Sequence, residues 1–309
     1  MKNKCSLLLS LLILAFQAIG QQTTQEKLGY SKDTKLLIIH ADDLGVSHSE
    51  DSASIYALEN GYVTSGSLMV PCPWFSEIAA YGSRHPDADL GIHLTLTSEW
   101  KYYKWDAVAA RDKTGSLLNS KGFFYDDLDS LGKMAKPDEI EKELRSQIEK
   151  AKEAGIHLTH LDSHMGSCFF NKDFLKIYLK LAREYKLPSL LNVNAFKLIY
   201  HVDISDLITN KDVLTDNVFM AFPPNDKAQH EAYYTNMLNT LQPGLNCVLI
   251  HLAYNDAEMQ AITLDHPDYG AAWRQTDLDF FSSDRCKQLL VSNKIHLITW
   301  KEIKDKLMQ

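Results

Sequence analysis

The sequence predicts a single α/β domain folded as an irregular (β/α) TIM-like barrel. Three observations carry this. Strand-like and helix-like patterns alternate along nearly the whole chain, which calls for a parallel sheet with helical crossovers. At 309 residues the chain accommodates one barrel, which takes about 250 residues, and little else. The first strand runs into HADDLG instead of the Gly-rich phosphate loop that an open doubly wound sheet usually places there.

The elements follow in order. Residues 35–41 (KLLIIHA) form an apolar run suited to a buried parallel strand. Residues 49–60 have helical spacing through Ile55 and Leu58, with Gly61 as the stop. Residues 63–70 are strand-like, 74–81 helical, and 90–96 (LGIHLTL) a strand. Residues 137–154 give the clearest helix, with Pro137 in its first turn and Gly155 ending it. HLTHL at 157–161 is a strand and 172–185 a helix. Later strands are expected at 218–222, 246–251 and 295–298, and helices at 227–241, 284–292 and 300–307. Residues 100–134 have no clean period and read as a long insertion over the barrel mouth.

The N-terminus reads as an export signal. Lys2 and Lys4 precede an apolar stretch from Leu7 to Ile19, broken only by Ser10 and Gln17. Ala18 and Gly20 then place small residues at the usual cleavage positions. The run is short for a membrane span of about 20 residues. The expected organisation is therefore a signal peptide at 1–20, a linker at 21–34 and the barrel at 35–309, with the mature chain periplasmic or secreted and without a membrane span. Cys5 leaves with the signal; Cys72, Cys168, Cys247 and Cys286 stay, and their pairing cannot be read from sequence.

A formal net charge of -8 argues against a surface that tracks nucleic-acid phosphates. Oligomeric state stays open, a homodimer included.

Three polar clusters share one position, the carboxyl end of an expected strand. Asp42 and Asp43 follow KLLIIHA, His93 interrupts LGIHLTL, and Asp162-Ser163-His164 follow HLTHL. In a βα barrel those ends converge on one face, where catalytic groups collect. Two adjacent carboxylates there would repel and lose hydration, and a bound cation would relieve both effects. One carboxylate and two imidazoles leave positions open on a metal for water and substrate. His251 ends the 246–251 strand at the same level. Trp100, Tyr102, Tyr103 and Trp105 form an aromatic run directly after HLTLTSE. Trp100 and Trp105 are candidates for contact with sugar rings or for packing of the loop on the barrel; Trp273, Arg274 and Asp277 form a second cluster that either faces a substrate or closes the barrel.

The run IIHADDLGVSHSEDSASIYALENGYVTSGSLMV resembles the opening of the YdjC-like carbohydrate deacetylases, also called the ChbG/HpnK family. GIHLTLT and THLDSH resemble that family's next two motifs, and His251 falls where the family has a His near its C-terminal end. The resemblance covers residues 35–307. It implies an irregular βα barrel, one divalent metal ion (Mg2+ or Zn2+), and removal of N-acetyl groups from acetylated oligosaccharides. It also implies that Asp43, His93 and His164 hold the metal, that Asp42 is the base, and that His251 assists as acid or transition-state stabiliser. This chain departs from the family where Met165-Gly166-Ser167-Cys168 follows THLDSH and where His251-Leu252-Ala253 stands for an HPG-like segment.

Overall fold

The computed structural model describes residues 22–223 and 226–308. The expected export signal and Cys5 lie outside them. Seven parallel strands form one sheet: β1 (Lys35–Leu44), β2 (Ser65–Leu68), β3 (Leu90–Leu94), β4 (Leu158–Ser163), β5 (Asn217–Phe219), β6 (Gly244–Ile250) and β7 (Ile295–Leu297). The order is β4-β3-β2-β1-β6-β5, with β7 pairing with the first residues of β1. Single hydrogen bonds carry the sheet on from β4 to β5. Leu161 N–H donates to Pro188 O at 3.0 Å, Leu190 N–H to Leu161 O at 2.9 Å, and Thr215 N–H to Leu191 O at 2.9 Å. The chain at 188–191 thus lies between β4 and the segment that leads into β5, with hardly any ladder of its own.

Twelve helices surround the sheet among the described residues: α1 (Thr24–Lys27), α2 (His48–Glu59), α3 (Phe75–Arg84), α4 (Leu128–Met134), α5 (Pro137–Glu153), α6 (Lys172–Glu184), α7 (Val193–Ile199), α8 (Lys227–Thr240), α9 (Ala257–Ile262), α10 (Ala271–Phe281), α11 (Asp284–Ser292) and α12 (Trp300–Leu307). None is long and apolar enough to cross a membrane.

Alternation along β1 separates two cores, because successive strand residues face opposite sides of a sheet. Leu37, Ile39 and Ala41 join the large cluster that includes Ile140, Leu144 and Ile148 of α5 and Leu175 and Tyr178 of α6. Leu36 and Ile38 point the other way and meet Leu245 and Cys247 of β6, Leu190 and Val213. Leu28, Trp300 and Ile303 complete that inner cluster, so the barrel interior has an apolar floor. The next inward residues of β1 are His40 and Asp42, and the interior turns polar toward the carboxyl ends of the strands.

The stretch expected as a linker does not hang free. α1 carries a capping box between Thr23 and Glu26, and Leu28 is 1% exposed within the floor. The 100–134 insertion is likewise packed. Trp100, Trp105, Leu117, Phe124 and Leu131 are buried, and Glu143 of α5 accepts from the N–H groups of Val108 and Ala109 at 3.0 and 2.9 Å. The four cysteines in the described residues are unpaired and buried.

Candidate metal and active site

β1 ends in a kink that separates the two adjacent carboxylates. Asp43 has φ 68°, in the left-handed region, and the β1–β2 register shifts between Ala41 and Leu44. Asp tolerates this conformation better than most side chains, at a cost of about 1–3 kcal/mol. Asp42 therefore turns into the barrel, and Asp43 turns across its mouth.

Asp43 Oδ1 lies 3.4 Å from His93 Nε2 and 3.2 Å from His164 Nδ1, yet no hydrogen bond satisfies this buried oxygen. The three ligand atoms lie within 4.8 Å of one another. The other nitrogen of each imidazole is occupied. His93 Nδ1 sits 2.9 Å from Asp162 Oδ1, and His164 Nε2 sits 3.1 Å from Glu99 Oε2. Asp43 Oδ2 accepts from Arg274 Nη2 at 2.8 Å, and Arg274 Nη1 donates to Glu50 Oε2 at 2.7 Å.

Below lies a second polar layer. His40 Nε2 is 3.0 Å from Asp42 Oδ1 and 2.8 Å from Asp162 Oδ2. Ser67 Oγ donates to Asp42 Oδ1 at 3.4 Å and to Asp162 Oδ2 at 2.9 Å. His160 lies deeper, stacked on Trp300 with ring centroids 5.4 Å apart. Its neighbour Gly91 has to be glycine, since a Cβ there would fall 2.4 Å from the His160 ring.

The charges are lopsided. Asp42, Asp43, Asp162 and the largely buried Glu99 meet one permanent cation, Arg274. Burial disfavours the charge on Asp43, but Arg274 and the two imidazoles outweigh it and hold the carboxyl well below its ordinary range. Burial likewise works against protonation of His164, yet Glu99 and Asp43 push it up to about 9. His40 is pushed up to about 9 by Asp162 and Asp42 against the same burial. Glu50, with Oε1 unsatisfied, is raised well above its ordinary value by burial. An orphaned carboxylate oxygen facing two imidazole nitrogens, in a surplus of buried anions, fits a divalent cation.

His251 caps β6 at the edge of this group, its Nε2 4.0 Å from Asp43 Oδ2. Its N–H donates to Asp277 Oδ2 at 2.9 Å, and burial lowers its pKa. The structure thus gathers Asp42, Asp43, His93, His164 and His251 as the sequence suggested.

The aromatic candidates turn out differently. Trp100 is 2% exposed and its ring lies 5.6 Å from the Arg274 guanidinium. Trp105 is 3% exposed, donates Nε1–H to Thr97 O at 2.7 Å, and meets His164 edge-on at 6.2 Å. Trp273 packs against His230 with ring centroids 3.9 Å apart and planes tilted by 32°, and Arg274 is spent on two carboxylates. Trp100, Trp105, Trp273 and Arg274 thus stand in a wall around the site, where the Trp105 Nε1–H and the Arg274 guanidinium already have protein partners. His40, Glu50, Ser67 and Glu99 were not singled out from sequence. A polar residue within or beside an apolar strand was the available signal for His40 and Ser67; nothing local marked Glu50 or Glu99.

Fold and site together define a βα-barrel enzyme whose reactive groups stand at strand carboxyl ends. The chain belongs to the YdjC-like protein family, whose profile matches residues 36–292. It is 29% identical over 290 residues to a carbohydrate deacetylase of Thermus thermophilus, covering 91% of this chain and 98% of that one. It is 30% identical over 232 residues to carbohydrate deacetylase 1 of Listeria innocua, covering 74% and 85%. A solved Enterococcus faecalis structure that carries the name of a cellobiose-phosphate cleavage protein superposes with a TM-score of 0.71 over 87% of this chain and 99% of that one. At 23% identity that likeness concerns the fold.

Proposed function

We propose that this chain is a metal-dependent carbohydrate deacetylase that removes N-acetyl groups from chitooligosaccharide-like substrates. The convergence of Asp43 Oδ1, His93 Nε2 and His164 Nδ1 around an unsatisfied oxygen carries the reading. The deacetylase names of the relatives supply the reaction class. Asp43, His93 and His164 would hold one divalent ion, Mg2+ or Zn2+. Bound there, it would polarise the acetyl carbonyl and make water more acidic.

The protein's own groups then divide the proton work. Asp42 has no guanidinium partner among its contacts, while Asp43 is committed to Arg274 and the imidazoles. Asp42 is accordingly the base that takes a proton from the attacking water. His251, beside Asp43 on the open side, gives a proton to the amine nitrogen as the C–N bond breaks. Asp162 and His40 hold Asp42 and His93 in register.

Acetate release from acetylated chitooligosaccharides, with and without a chelator, tests the reading. Release that stops on chelation and returns with added metal is expected. No release, or release indifferent to chelation, overturns it. Export to the periplasm or medium is proposed with it, on the strength of the N-terminal pattern. N-terminal sequencing of protein from its native host should find a start near Gln21, and an intact Met1 on cytosolic material would refute export.

A further inference from the structure

We propose that Glu99 is a positioning residue that sets which nitrogen of His164 faces the ion site; this rests on the metal reading above. A neutral imidazole offers one donor and one acceptor, and the partner of one nitrogen decides what the other presents. His93 has its Nδ1 taken by Asp162, so Nε2 faces Asp43. His164 is arranged the other way round. Glu99 Oε2 takes Nε2 at 3.1 Å, and Nδ1 faces Asp43 Oδ1 at 3.2 Å. The two imidazoles thus meet one oxygen through opposite nitrogens, each fixed by its own carboxylate.

The partners come from different sources. Asp162 lies within β4, directly opposite His93 in the β3–β4 ladder. Glu99 lies where the chain leaves β3 for the 100–134 insertion, and it is pinned from both sides. Ser98 N–H donates to Tyr125 O at 2.9 Å, and Lys104 Nζ donates to Ser98 O at 2.6 Å. The Glu99 carbonyl lies 3.2 Å from His266 Nε2, and Trp100 is buried against Arg274. The Glu99 side chain is 14% exposed, far from the mobile surface pairs whose contribution is small. Trp105 meets the His164 ring edge-on, with centroids 6.2 Å apart. The aromatic insertion therefore holds a metal ligand's orientation, and this gives its unusual run of Trp and Tyr a role other than binding sugar.

The test is calorimetric titration of Zn2+ into chelator-stripped wild type, Glu99→Gln, Glu99→Ala and His164→Ala, with thermal melts of the ion-free proteins and the absorption spectrum of the Co2+ forms. Glu99→Ala should weaken Zn2+ binding by about 10–100-fold, as loss of such partners does elsewhere, and shift the Co2+ spectrum. Glu99→Gln keeps an oxygen that can accept from Nε2–H. It should fall between wild type and Glu99→Ala, with a spectrum close to wild type. His164→Ala should lose binding altogether. Zn2+ affinity within twofold of wild type in Glu99→Ala overturns the inference, as does a Glu99→Gln loss as complete as that of His164→Ala, which would make Glu99 a ligand. Should Glu99→Ala fail to fold, an unchanged affinity in Glu99→Gln overturns it alone. A wild type that takes up no Zn2+, Mg2+ or Mn2+ overturns the metal reading and this inference together; wild-type binding with unaffected Glu99 variants overturns this inference only.

Discussion

Arg274 and Asp43 are 231 positions apart in the chain and 2.8 Å apart in the fold. The same guanidinium reaches Glu50, 224 positions away, at 2.7 Å, so one cation from α10 clamps the end of β1 to the first turn of α2. Removing it would strand two buried carboxylates. Breaking such a pair typically costs about 3–5 kcal/mol. Arg274→Met should lose stability on that scale in chemical denaturation, and adding Glu50→Gln should restore part of it. A loss below about 1 kcal/mol would show that water already screens the pair.

The kink at Asp43 gives the adjacent carboxylates separate tasks. Asp42→Asn should keep its metal and lose turnover by about 10²–10⁴-fold, the usual contribution of a base. Asp43→Asn should lose metal first. Metal analysis alongside acetate-release kinetics separates the two. The reverse pattern would exchange the roles, and equal metal loss in both would mean joint binding.

His93 joins the two layers of the site, with Nε2 toward Asp43 and Nδ1 toward Asp162. His93→Ala should purify folded and without tight metal, by elemental analysis and circular dichroism. One ion per chain in that variant would remove His93 from the ligand set.

Gly91 makes room for His160. A methyl at Gly91 would sit 2.4 Å from the imidazole, and overpacking of a closed interior typically costs about 1–3 kcal/mol. Gly91→Ala should be destabilised on that scale, and Gly91→Ala with His160→Ala less so than the sum of the two singles. Simple additivity in a double-mutant cycle would argue that the ring moves aside freely.

Away from the site, Asp212 accepts from Arg183 Nε and Nη2 at 3.0 and 2.6 Å and from Thr209 N–H at 2.7 Å. Burial would raise its pKa, but Arg183 and Thr209 prevail and lower it. A carboxyl lowered in the folded state stabilises above its unfolded value of about 3.9, and that stabilisation fades as pH falls through the folded value. The melting-point gap between wild type and Asp212→Asn should be full at pH 7 and close below about pH 4. A gap that widens on acidification would contradict this.

Much of the fold was legible because its central strands β1 to β4 and β6 are buried on both sides and its main helices are amphipathic. KLLIIHA, GIHL and VLI announce β1, β3 and β6, and α5 and α6 each bury one face. α10 is hard to read locally because its buried side itself carries Arg274, Thr276 and Asp277, which blurs the apolar period that Ala272, Gln275 and Asp279 on the outer side would otherwise mark. The strand-like segment at 188–191 escaped because it makes too few ladder bonds to need a strand's pattern.

The sequence by itself determined the alternation of strand and helix and the placing of Asp42, Asp43, His93, His164 and His251 at strand ends. Both follow from local periodicity, which says which residues share a face and where an apolar run stops. Only the tertiary structure decided that Asp43 turns away from Asp42, that Asp162 and Glu99 choose opposite nitrogens of His93 and His164, and that the Arg274 guanidinium lies over the Trp100 ring. Those choices depend on the packing of sheet, helices and insertion, which brings β1, the insertion after β3, the end of β4 and α10 within hydrogen-bond reach. No local pattern encodes a distance of about 3 Å between groups that lie tens to hundreds of residues apart.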